Sequence, residues 1–392
     1  MSDYFQSEFE PRTVAIFGSS GSIGRQALDV VRQAKGRYKV HALSVNTSVD
    51  TLIKQAQEFD PRVVVVGDEQ LAKRVREALP KIEVRFGEDG LSSTATEADV
   101  SLNSVVGFAG LYVTTSALLA GRRLALANKE SLVAAGPIVR KILASSKGEI
   151  VPVDSEHAAI HQCLRGSTTR EVDRIILTSS GGPFRTFESN ALKNVTKAQA
   201  LEHPTWSMGP KITIDSSTLM NKALEVIEAY ELFHVDASQI EVVIHPESII
   251  HSMVAFIDGS ILAQMSKPDM CLPIAYGFGY PNRFEPKYGE LDFSKVMSLN
   301  FEPPRRSIFR SLDYAYESIR IGRGASAWLS AVNEVVVEAY LRGEFQWTNI
   351  FGLIESAMDL FEPVDLEQPE DVVMLDKLAR VRCLEVLDNW RS

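Results

Sequence analysis

The chain has 392 residues, of which 45% are hydrophobic and 23% are charged, with a formal net charge of -10 at pH 7. A chain of this length fits two or three domains, each with an ordinary packed core. The negative charge argues against broad binding to nucleic acid or to an anionic membrane surface and leaves room only for local basic pockets.

Residues 13–153 alternate short β-branched runs with amphipathic helical patterns. The strand candidates are Thr13–Phe17, Lys39–Val45, Arg62–Val66, Glu83–Phe86, Asp99–Asn103, Arg123–Ala127 and Glu149–Val153. Helix candidates lie between the first of them, at Ile23–Ala34, Val49–Glu58 and Gln70–Leu79. This alternation predicts an α/β fold that begins with a Rossmann-like, doubly wound parallel sheet over residues 1–153.

The pattern changes after residue 153. Strand-like runs at Val172–Thr178, Ile240–Ile244, Ser252–Ile257 and Ser260–Gln264 alternate with loops rich in Gly, Pro and Ser. They predict a central α+β catalytic and dimerisation domain over residues 154–280. Residues 281–306 contain several prolines and little periodicity, which is typical of a linker. Helical patterns such as Ala325–Leu341 and Ile350–Leu360 then predict a small helical domain over residues 307–392.

Cysteine usage and the absence of targeting patterns predict a cytoplasmic protein. The cysteines Cys163, Cys271 and Cys383 are far apart, odd in number and without a CxxC pair, as expected in a reducing compartment. The start of the chain has neither a basic nor an apolar signal region, and no apolar run approaches the ~18 residues that span a bilayer. We therefore expect no membrane partner.

The segment Gly18-Ser-Ser-Gly-Ser-Ile-Gly24 follows a predicted strand and opens a predicted helix. This is the context in which a glycine-rich loop receives a dinucleotide pyrophosphate on helix amides. The spacing is GxxGxxG rather than GxGxxG, and a glycine-rich turn without ligand is the alternative. After the second strand, Asn46-Thr-Ser48 offers no acidic residue for a ribose 2′-hydroxyl, which favours NADPH over NADH, although no basic residue stands there.

Two carboxylates stand two positions apart in Val151-Pro-Val-Asp-Ser-Glu-His157. In an extended stretch, Asp154 and Glu156 would point the same way and converge on one hard cation, with Ser155 turned aside. Glu225 is the natural third carboxylate. Together these three residues predict a site for Mg²⁺ or Mn²⁺, which prefer oxygen ligands.

Glu225 closes the segment that begins at Asp215, which we interpret as a capped helix start followed by helix. Asn221 and Lys222 share a helix face with Glu225, and the hydroxyls of Ser216 and Ser217 would stand at the helix N-terminus, where free amides favour an anion. One helix would then bind phosphate and metal. The alternative is a capping serine beside a surface Lys222–Glu225 pair.

Two further segments suit an anion site or a lid. Thr178-Ser-Ser-Gly-Gly-Pro183 exposes hydroxyls beside flexible glycines, as an anion-binding nest does, and a plain turn is the alternative. His203-Pro-Thr-Trp-Ser-Met-Gly209 places His203, Trp206 and Met208 in a loop that would close over a ligand and exclude water. A core position for Trp206 is the alternative.

A zinc site is the competing metal hypothesis. His157 and His161 are spaced i, i+4 on a predicted helix, but the motif lacks a Glu after the first His and has no cysteine partner. We therefore expect His157 to support the carboxylates from behind and His161 to be structural. His245 and His251 flank Pro246–Ile250, and we expect at least one of them to be a buried structural histidine.

Seven short segments, taken in order, resemble the 1-deoxy-D-xylulose 5-phosphate reductoisomerase family. They are Gly18–Gly24, Leu126–Ser131, Asp154–His157, Ser180–Phe184, His203–Gly209, Met220–Glu225 and Ile244–Ser248. No one of them is decisive, but their joint order is specific. Departures are modest: family members often carry Gly with a basic residue where this chain has Asn46-Thr-Ser48, and Ser20 replaces a common Thr.

The resemblance implies NADPH-dependent rearrangement and reduction of 1-deoxy-D-xylulose 5-phosphate to 2-C-methyl-D-erythritol 4-phosphate in the non-mevalonate isoprenoid pathway, by a homodimer inhibited by fosmidomycin. It assigns Asp154, Glu156 and Glu225 to one Mg²⁺ or Mn²⁺. The residues it places on the phosphorylated ketose are Lys129, Ser155, Glu156, Ser180, His203, Trp206, Ser216, Asn221, Lys222 and Glu225. Those it places on the cofactor are Ser20, Gly21, Ser22, Ile23, Asn128, Glu130 and Gly209. The glycine-rich loop and the turn after the second strand add Gly18, Asn46 and Ser48 as predicted cofactor contacts.

For the chemistry we hypothesise a retro-aldol/aldol isomerisation to a branched aldehyde, which hydride from NADPH then reduces. Lys129 or Glu156 would assist proton transfer, with His203 nearby, and the residues alone do not choose between them. A generic NAD(P)-dependent dehydrogenase of the same fold is the rival enzyme, and it would keep its activity after thorough chelation. The alternative that is not an enzyme is a nucleotide-sensing or scaffold protein. Such a protein would be expected to have lost some of Lys129, Asp154, Glu156 and Glu225, and this chain has all four.

Overall fold

The computed structural model describes residues 11–206, 208–294 and 296–391. The strands are β1 (Arg12–Phe17), β2 (Tyr38–Ser44), β3 (Val63–Val66), β4 (Glu83–Phe86), β5 (Val100–Asn103), β6 (Arg123–Leu126), β7 (Glu149–Pro152), β8 (Val172–Ser179), β9 (Ile240–Ile244), β10 (Ile250–Phe256) and β11 (Ile261–Met265). The helices are α1 (Ser22–Gln33), α2 (Val49–Phe59), α3 (Glu69–Ala78), α4 (Gly87–Ala95), α5 (Ala109–Leu119), α6 (Lys129–Val133), α7 (Gly136–Ser145), α8 (Ser155–Cys163), α9 (Ser189–Leu192), α10 (Lys197–Ala200), α11 (Pro210–Ser217), α12 (Met220–Phe233), α13 (Cys271–Gly279), α14 (Ser311–Ile321), α15 (Ala325–Arg342), α16 (Asn349–Met358) and α17 (Pro369–Arg391).

The described chain forms two compact units. Of the described residues, the first unit combines 11–128, Ile142–Asp154 and Asp269–Tyr288, and the second combines Lys129–Lys141, Ser155–Pro268 and 289–391. Among the described residues, no helix is long and apolar enough to cross a membrane.

The first unit is built on a seven-stranded sheet in the order β4-β3-β2-β1-β5-β6-β7, with parallel pairing throughout. Its inner strands are buried on both faces, which is why β3 reads Val-Val-Val-Val without alternation. Helices such as α1 cover the sheet by turning in the apolar side chains of Ala27, Leu28, Val30 and Val31. The predicted doubly wound parallel sheet is confirmed, with strand bounds within one or two residues of those expected.

Residues 269–288 return to the first unit although they come late in the chain. Helix α13 turns Ile274 and Phe278 into the core of the first sheet. The Arg12 guanidinium, at the start of β1, donates a 2.7 Å hydrogen bond to the Phe278 carbonyl. Because these apolar side chains complete the first core, this segment belongs with that core. The sequence pattern had instead divided it between the central domain, which was expected to end at residue 280, and the linker that follows.

The second unit holds a four-stranded sheet and the C-terminal helices. The sheet has the order β11-β10-β8-β9, in which β10 pairs antiparallel with both β11 and β8, whereas β8 and β9 are parallel. Helix α15 is buried along most of its length and packs against α11, α14, α16 and α17. The expected central sheet and C-terminal helices are thus present, within a single compact unit.

Candidate active site

In the first unit, the glycine-rich loop connects β1 to α1. Gly21 precedes the first turn of α1, where no side chain caps the helix and no acidic residue stands, so the amides there suit an anion. A Cβ on Gly24 would lie 2.3 Å from the Gly18 carbonyl oxygen, so only glycine permits this close packing of helix on loop. Arg25, which the sequence analysis did not single out, donates a 3.0 Å hydrogen bond to the Ser20 carbonyl and adds positive charge beside the loop.

Two other predicted cofactor segments follow strands β2 and β6 of the same sheet. Asn46 and Ser48 are exposed after β2, as a contact to a nucleotide requires. Asn128 is buried after β6 and donates hydrogen bonds to the carbonyls of Val105 (2.8 Å) and Gly107 (3.1 Å). Asn128 therefore also fixes the loop after β5. Glu130 and Gly209 belong to the second unit.

In the second unit, two carboxylates meet around one lysine. Lys222 Nζ lies 2.9 Å from Glu156 Oε1 and is hydrogen-bonded to Glu225, three residues along α12. Asn221 also donates to Glu225, whose side chain is 1% exposed, and Lys222 is 3% exposed. A buried ammonium group therefore neutralises carboxylates that would otherwise repel each other. This arrangement is not the surface Lys222–Glu225 pair of the alternative hypothesis.

Asp154 is the residue at which the chain passes from the first unit into α8. One carboxylate oxygen from each of Asp154, Glu156 and Glu225 lies within 4.8 Å of the other two. The route to this convergence differs from the expected one, because α8 begins at Ser155 and Glu156 occupies its first turn instead of an extended stretch. Ser155 is not turned aside, since its hydroxyl donates to Glu156.

A second layer of polar groups lies one helical turn along α12 from Glu225. Lys129 Nζ lies 3.5 Å from Glu225 Oε1 and 3.7 Å from Glu228 Oε2. His157 places Nδ1 3.4 Å from Glu228 Oε2, and its Nε2 lies 3.0 Å from the Glu225 carbonyl oxygen. His157 thus contacts α12 through both ring nitrogens. It also belongs to a second group of potential metal ligands, with Asp154 and Glu228, so its supporting role stays a prediction. Glu228 escaped the sequence analysis, although its spacing of three from Glu225 was the available signal.

The predicted helix start at Asp215 is wrong. Helix α11 begins earlier, at Pro210, and Ser216 and Ser217 lie in its last turn. The chain then breaks at Leu219, whose backbone is left-handed (φ 61°, ψ 12°), and α12 starts afresh at Met220. Ser216 and Asn221 therefore lie on either side of a helix break. A proline at the first helical position was the start signal that the sequence analysis passed over.

Ser180 and His203 form a polar pair at the ends of two loops. His203 Nδ1 accepts hydrogen bonds from the amides of Thr205 (3.1 Å) and Trp206 (2.9 Å). Its proton must therefore be on Nε2, which donates to Ser180 Oγ at 3.1 Å. This single histidine fixes the start of the predicted lid loop and orients a predicted phosphate-binding hydroxyl.

Burial lowers the pKa of His203, although the negative charge of Glu156 opposes the shift. Below the ordinary pKa near ~6.5, the unfolded chain gains a proton that the folded chain resists, so this contribution to stability is lost as pH falls. Protonation of Nδ1 would also remove the acceptor for both loop amides. We expect the wild type to lose more stability between pH 7.5 and 5.5 than His203→Asn does in thermal unfolding; equal losses would contradict this role.

The remaining histidines are structural or lie apart from the carboxylates. His245 is fully buried, with Nδ1 2.9 Å from the Asn300 carbonyl oxygen and Nε2 accepting from the amides of Ile249 and Ile250. His251 is also buried. His161 belongs to neither group of potential metal ligands among the described residues; the second such group is Asp154, His157 and Glu228. The i, i+4 zinc hypothesis therefore finds no support.

Family models match most of the chain in three segments. Residues 14–136 match the model described as 1-deoxy-D-xylulose 5-phosphate reductoisomerase, and residues 150–233 match the model of that enzyme's C-terminal domain. A further C-terminal domain model, of DXP reductoisomerase, matches residues 265–382. The chain belongs to the 1-deoxy-D-xylulose 5-phosphate reductoisomerase family.

Relatives of known name agree over nearly the full length of the chain. The 1-deoxy-D-xylulose 5-phosphate reductoisomerase of Protochlamydia amoebophila is 46% identical, over 94% of this chain and 96% of its own. The Zymomonas mobilis reductoisomerase, solved in complex with NADPH, is 39% identical with a TM-score of 0.91, over 96% of this chain and 99% of its own. A reductoisomerase solved with NADPH, fosmidomycin and magnesium is 36% identical with a TM-score of 0.91, over 97% and 99%. The family resemblance inferred from the seven segments is confirmed.

Proposed function

We propose that this chain converts 1-deoxy-D-xylulose 5-phosphate to 2-C-methyl-D-erythritol 4-phosphate by isomerisation and NADPH-dependent reduction, assisted by one divalent cation. The observation that carries the proposal is the contact of Glu156 with the buried pair Lys222 and Glu225, in a chain that matches this family along almost its whole length. NADPH is bound in both of the related structures described above, and magnesium and fosmidomycin are bound in one of them. We propose that this protein binds the same three ligands.

The donor set fits a hard divalent cation. Its carboxylate oxygens come from Asp154, Glu156 and Glu225, and oxygen is the ligand that Mg²⁺ and Mn²⁺ prefer. Lys222 already places a positive charge against two of these carboxylates, and such a counter-charge stabilises carboxylates that lie close together with little solvent. When bound, the cation would act as a Lewis acid toward the oxygens of the substrate, and NADPH would supply the hydride.

The residues of the chain bind the substrate and manage its protons. Ser180 and His203 supply hydrogen-bonding groups from two loops, and Ser216 and Asn221 supply others from the two sides of the helix break. A phosphate held there, away from the reacting carbons, orients the substrate with binding energy. Lys129 Nζ, beside two carboxylates, is the group that we assign to hold or move a proton.

The test is NADPH oxidation by the purified protein with 1-deoxy-D-xylulose 5-phosphate, with and without Mn²⁺ and fosmidomycin. We expect turnover that needs the cation, recovers after chelation when Mn²⁺ or Mg²⁺ is restored, and is inhibited by fosmidomycin. Turnover that survives thorough chelation would support the generic dehydrogenase instead. Comparing Mn²⁺ with Mg²⁺ in the same assay addresses which ion the enzyme prefers.

We also propose that the protein is a cytoplasmic homodimer. Strand β11 is an edge of the four-stranded sheet, and Ile261 and Leu262 on it are about half exposed. An open, apolar edge strand is a template for pairing with another chain, and we assign it to a second copy. The three free cysteines fit a reducing compartment.

We expect Leu262→Lys to shift the protein from dimer to monomer in sedimentation equilibrium, because it places a charge on the pairing edge. Val381→Lys is the matched control, since Val381 is equally exposed but lies on α17. A Leu262→Lys protein that sediments like the control would contradict the assignment of β11.

A further inference from the structure

The two segments that carry Ser180 and Ser216 lie back to back. Gly182 has φ +69°, and a Cβ at this position would lie 2.5 Å from the Ser216 carbonyl oxygen. The loop can approach the end of α11 this closely only because residue 182 has no side chain. A displacement of the end of α11 would therefore also displace the loop that carries Ser180.

The helix break beside Ser216 is strained. Leu219 is buried and left-handed, a conformation that costs a non-glycine residue roughly 1 kcal/mol or more and persists only where the surroundings enforce it. The hydroxyl of Thr218 contributes locally, by accepting from the Met220 amide at 3.3 Å. The remaining support comes from distant parts of the chain.

Three polar side chains from the C-terminal third of the chain donate hydrogen bonds to residues 215–218. Asn333 Nδ2 donates to Asp215 Oδ1, Trp347 Nε1 to Ser217 Oγ, and Ser311 Oγ to the Thr218 carbonyl, each at 2.9 Å. All three bonds are buried. They hold the last turn of α11 and the first residue of the break from one side.

Trp347 also reaches the other segment. Its ring packs edge-on against Phe184, four residues after Ser180, with ring centroids 5.2 Å apart, while its indole nitrogen holds Ser217. The side chain of Trp347 is 1% exposed, so it cannot touch a ligand from solvent. The buried indole of Trp347 thus contacts both the loop that follows Ser180, through Phe184, and the end of α11, through Ser217.

We propose that Trp347, supported by Ser311 and Asn333, is a positioning residue for the substrate phosphate. The C-terminal helices hold the Ser180 loop and the α11–α12 break at the separation that the phosphate requires. This role rests on the proposed function, because that function assigns the phosphate to Ser180, Ser216 and Asn221. It gives the helical C-terminal region a part in substrate recognition.

The first experiment compares Trp347→Phe with Trp328→Phe. Both tryptophans are buried, and each donates one 2.9 Å hydrogen bond from Nε1, Trp328 to the Ala357 carbonyl within the C-terminal helices. We expect Trp347→Phe to raise KM for 1-deoxy-D-xylulose 5-phosphate ~10-fold, as the loss of one buried hydrogen bond predicts, with KM for NADPH and kcat changed less than about twofold. Trp328→Phe should change neither KM.

The second experiment uses smaller deletions on one helix, in case a tryptophan variant folds poorly. Ser311→Ala and Tyr314→Phe each remove one hydroxyl of α14 that donates to a backbone carbonyl, but Tyr314 serves Phe351 and not the helix break. We expect only Ser311→Ala to raise KM for the phosphorylated ketose. Ser217→Ala, which removes the partner of Trp347, should act like Trp347→Phe.

These experiments distinguish failure of the positioning role of Trp347 from failure of the proposed enzymatic function. If wild-type protein turns over the ketose but Trp347→Phe and Ser311→Ala behave like their matched controls, the positioning role is refuted while the proposed function stands. If the wild type has no such activity, the proposed function itself fails. A raised KM for the ketose in Trp347→Phe, Ser217→Ala and Ser311→Ala, absent from both controls, supports the positioning role.

Discussion

Glu225→Gln is expected to lower turnover of 1-deoxy-D-xylulose 5-phosphate by about 10³-fold or more, because several kcal/mol of metal-assisted stabilisation would be lost and each 1.36 kcal/mol is tenfold in rate. The substitution keeps the shape of a side chain that is 1% exposed but removes its charge. It should also weaken Mn²⁺ binding in calorimetry. NADPH affinity, measured by fluorescence titration, should be nearly unchanged, since Glu225 is not among the predicted cofactor residues and the glycine-rich loop belongs to the other unit.

Glu231→Gln is the matched control for this prediction. Glu231 lies on the same helix and is also buried, but it pairs with Arg140 at 2.9 Å and belongs to neither group of potential metal ligands among the described residues. We expect it to retain turnover and Mn²⁺ binding. Turnover lost to the same extent in both variants would point to general damage to α12, and a Glu225→Gln protein that keeps its Mn²⁺ affinity would remove Glu225 from the metal site.

Lys222→Met is expected to destabilise the metal-free protein by ~3 kcal/mol or more, the usual cost of leaving buried charges without their partner. Lys222 neutralises Glu156 and Glu225, and methionine keeps its length without its charge. A divalent cation would replace part of the missing charge. Added Mn²⁺ should therefore raise the melting temperature of this variant more than that of the wild type, and KM for the phosphorylated ketose should also rise.

Lys211→Met provides the comparison for this second prediction. Lys211 also pairs with a buried carboxylate, Asp215, at 2.8 Å, but its own side chain is more than a third exposed. Its replacement should cost less stability, and Mn²⁺ should not preferentially restore it. Equal effects of Mn²⁺ on both variants in thermal unfolding would show that Lys222 is not a counter-charge of the cation site.

The first sheet could be predicted closely because each of its strands and helices is specified by the pattern of apolar residues within its own segment. Its strands are short runs with several apolar residues, continuous only in strands such as β3, and amphipathic helices follow them. The alternation and the lengths of these runs therefore suffice to identify the elements. The carboxylates were also found from residue types. Their local conformation was not, because Asp-Ser-Glu before an apolar run is typical of a helix start as well as of an extended stretch. Helix α8 begins there, at Ser155.

The parts of the site that escaped prediction depend on contacts between distant residues. Residues 215–218 receive hydrogen bonds from Ser311, Asn333 and Trp347, far along the chain, and the left-handed Leu219 follows them. Locally, Asp, Ser and Thr favour a helix start as much as a helix end, so the sequence did not show on which side of this run a helix lies. The bond from Trp347 to Ser217 joins residues 130 positions apart. The spacing of apolar residues along the sequence carries no information about a hydrogen bond between such distant residues.

The late return of the chain to its first core has a consequence for synthesis. Val153 packs in that core together with Ile274 and Phe278, which the ribosome makes more than a hundred residues later. Domains usually fold N-terminal first as they emerge. Here the nascent nucleotide-binding half must wait, with an apolar face uncovered, until α13 has left the exit tunnel. An amino-terminal fragment ending near residue 154 should therefore aggregate, unless residues 269–288 are fused to it.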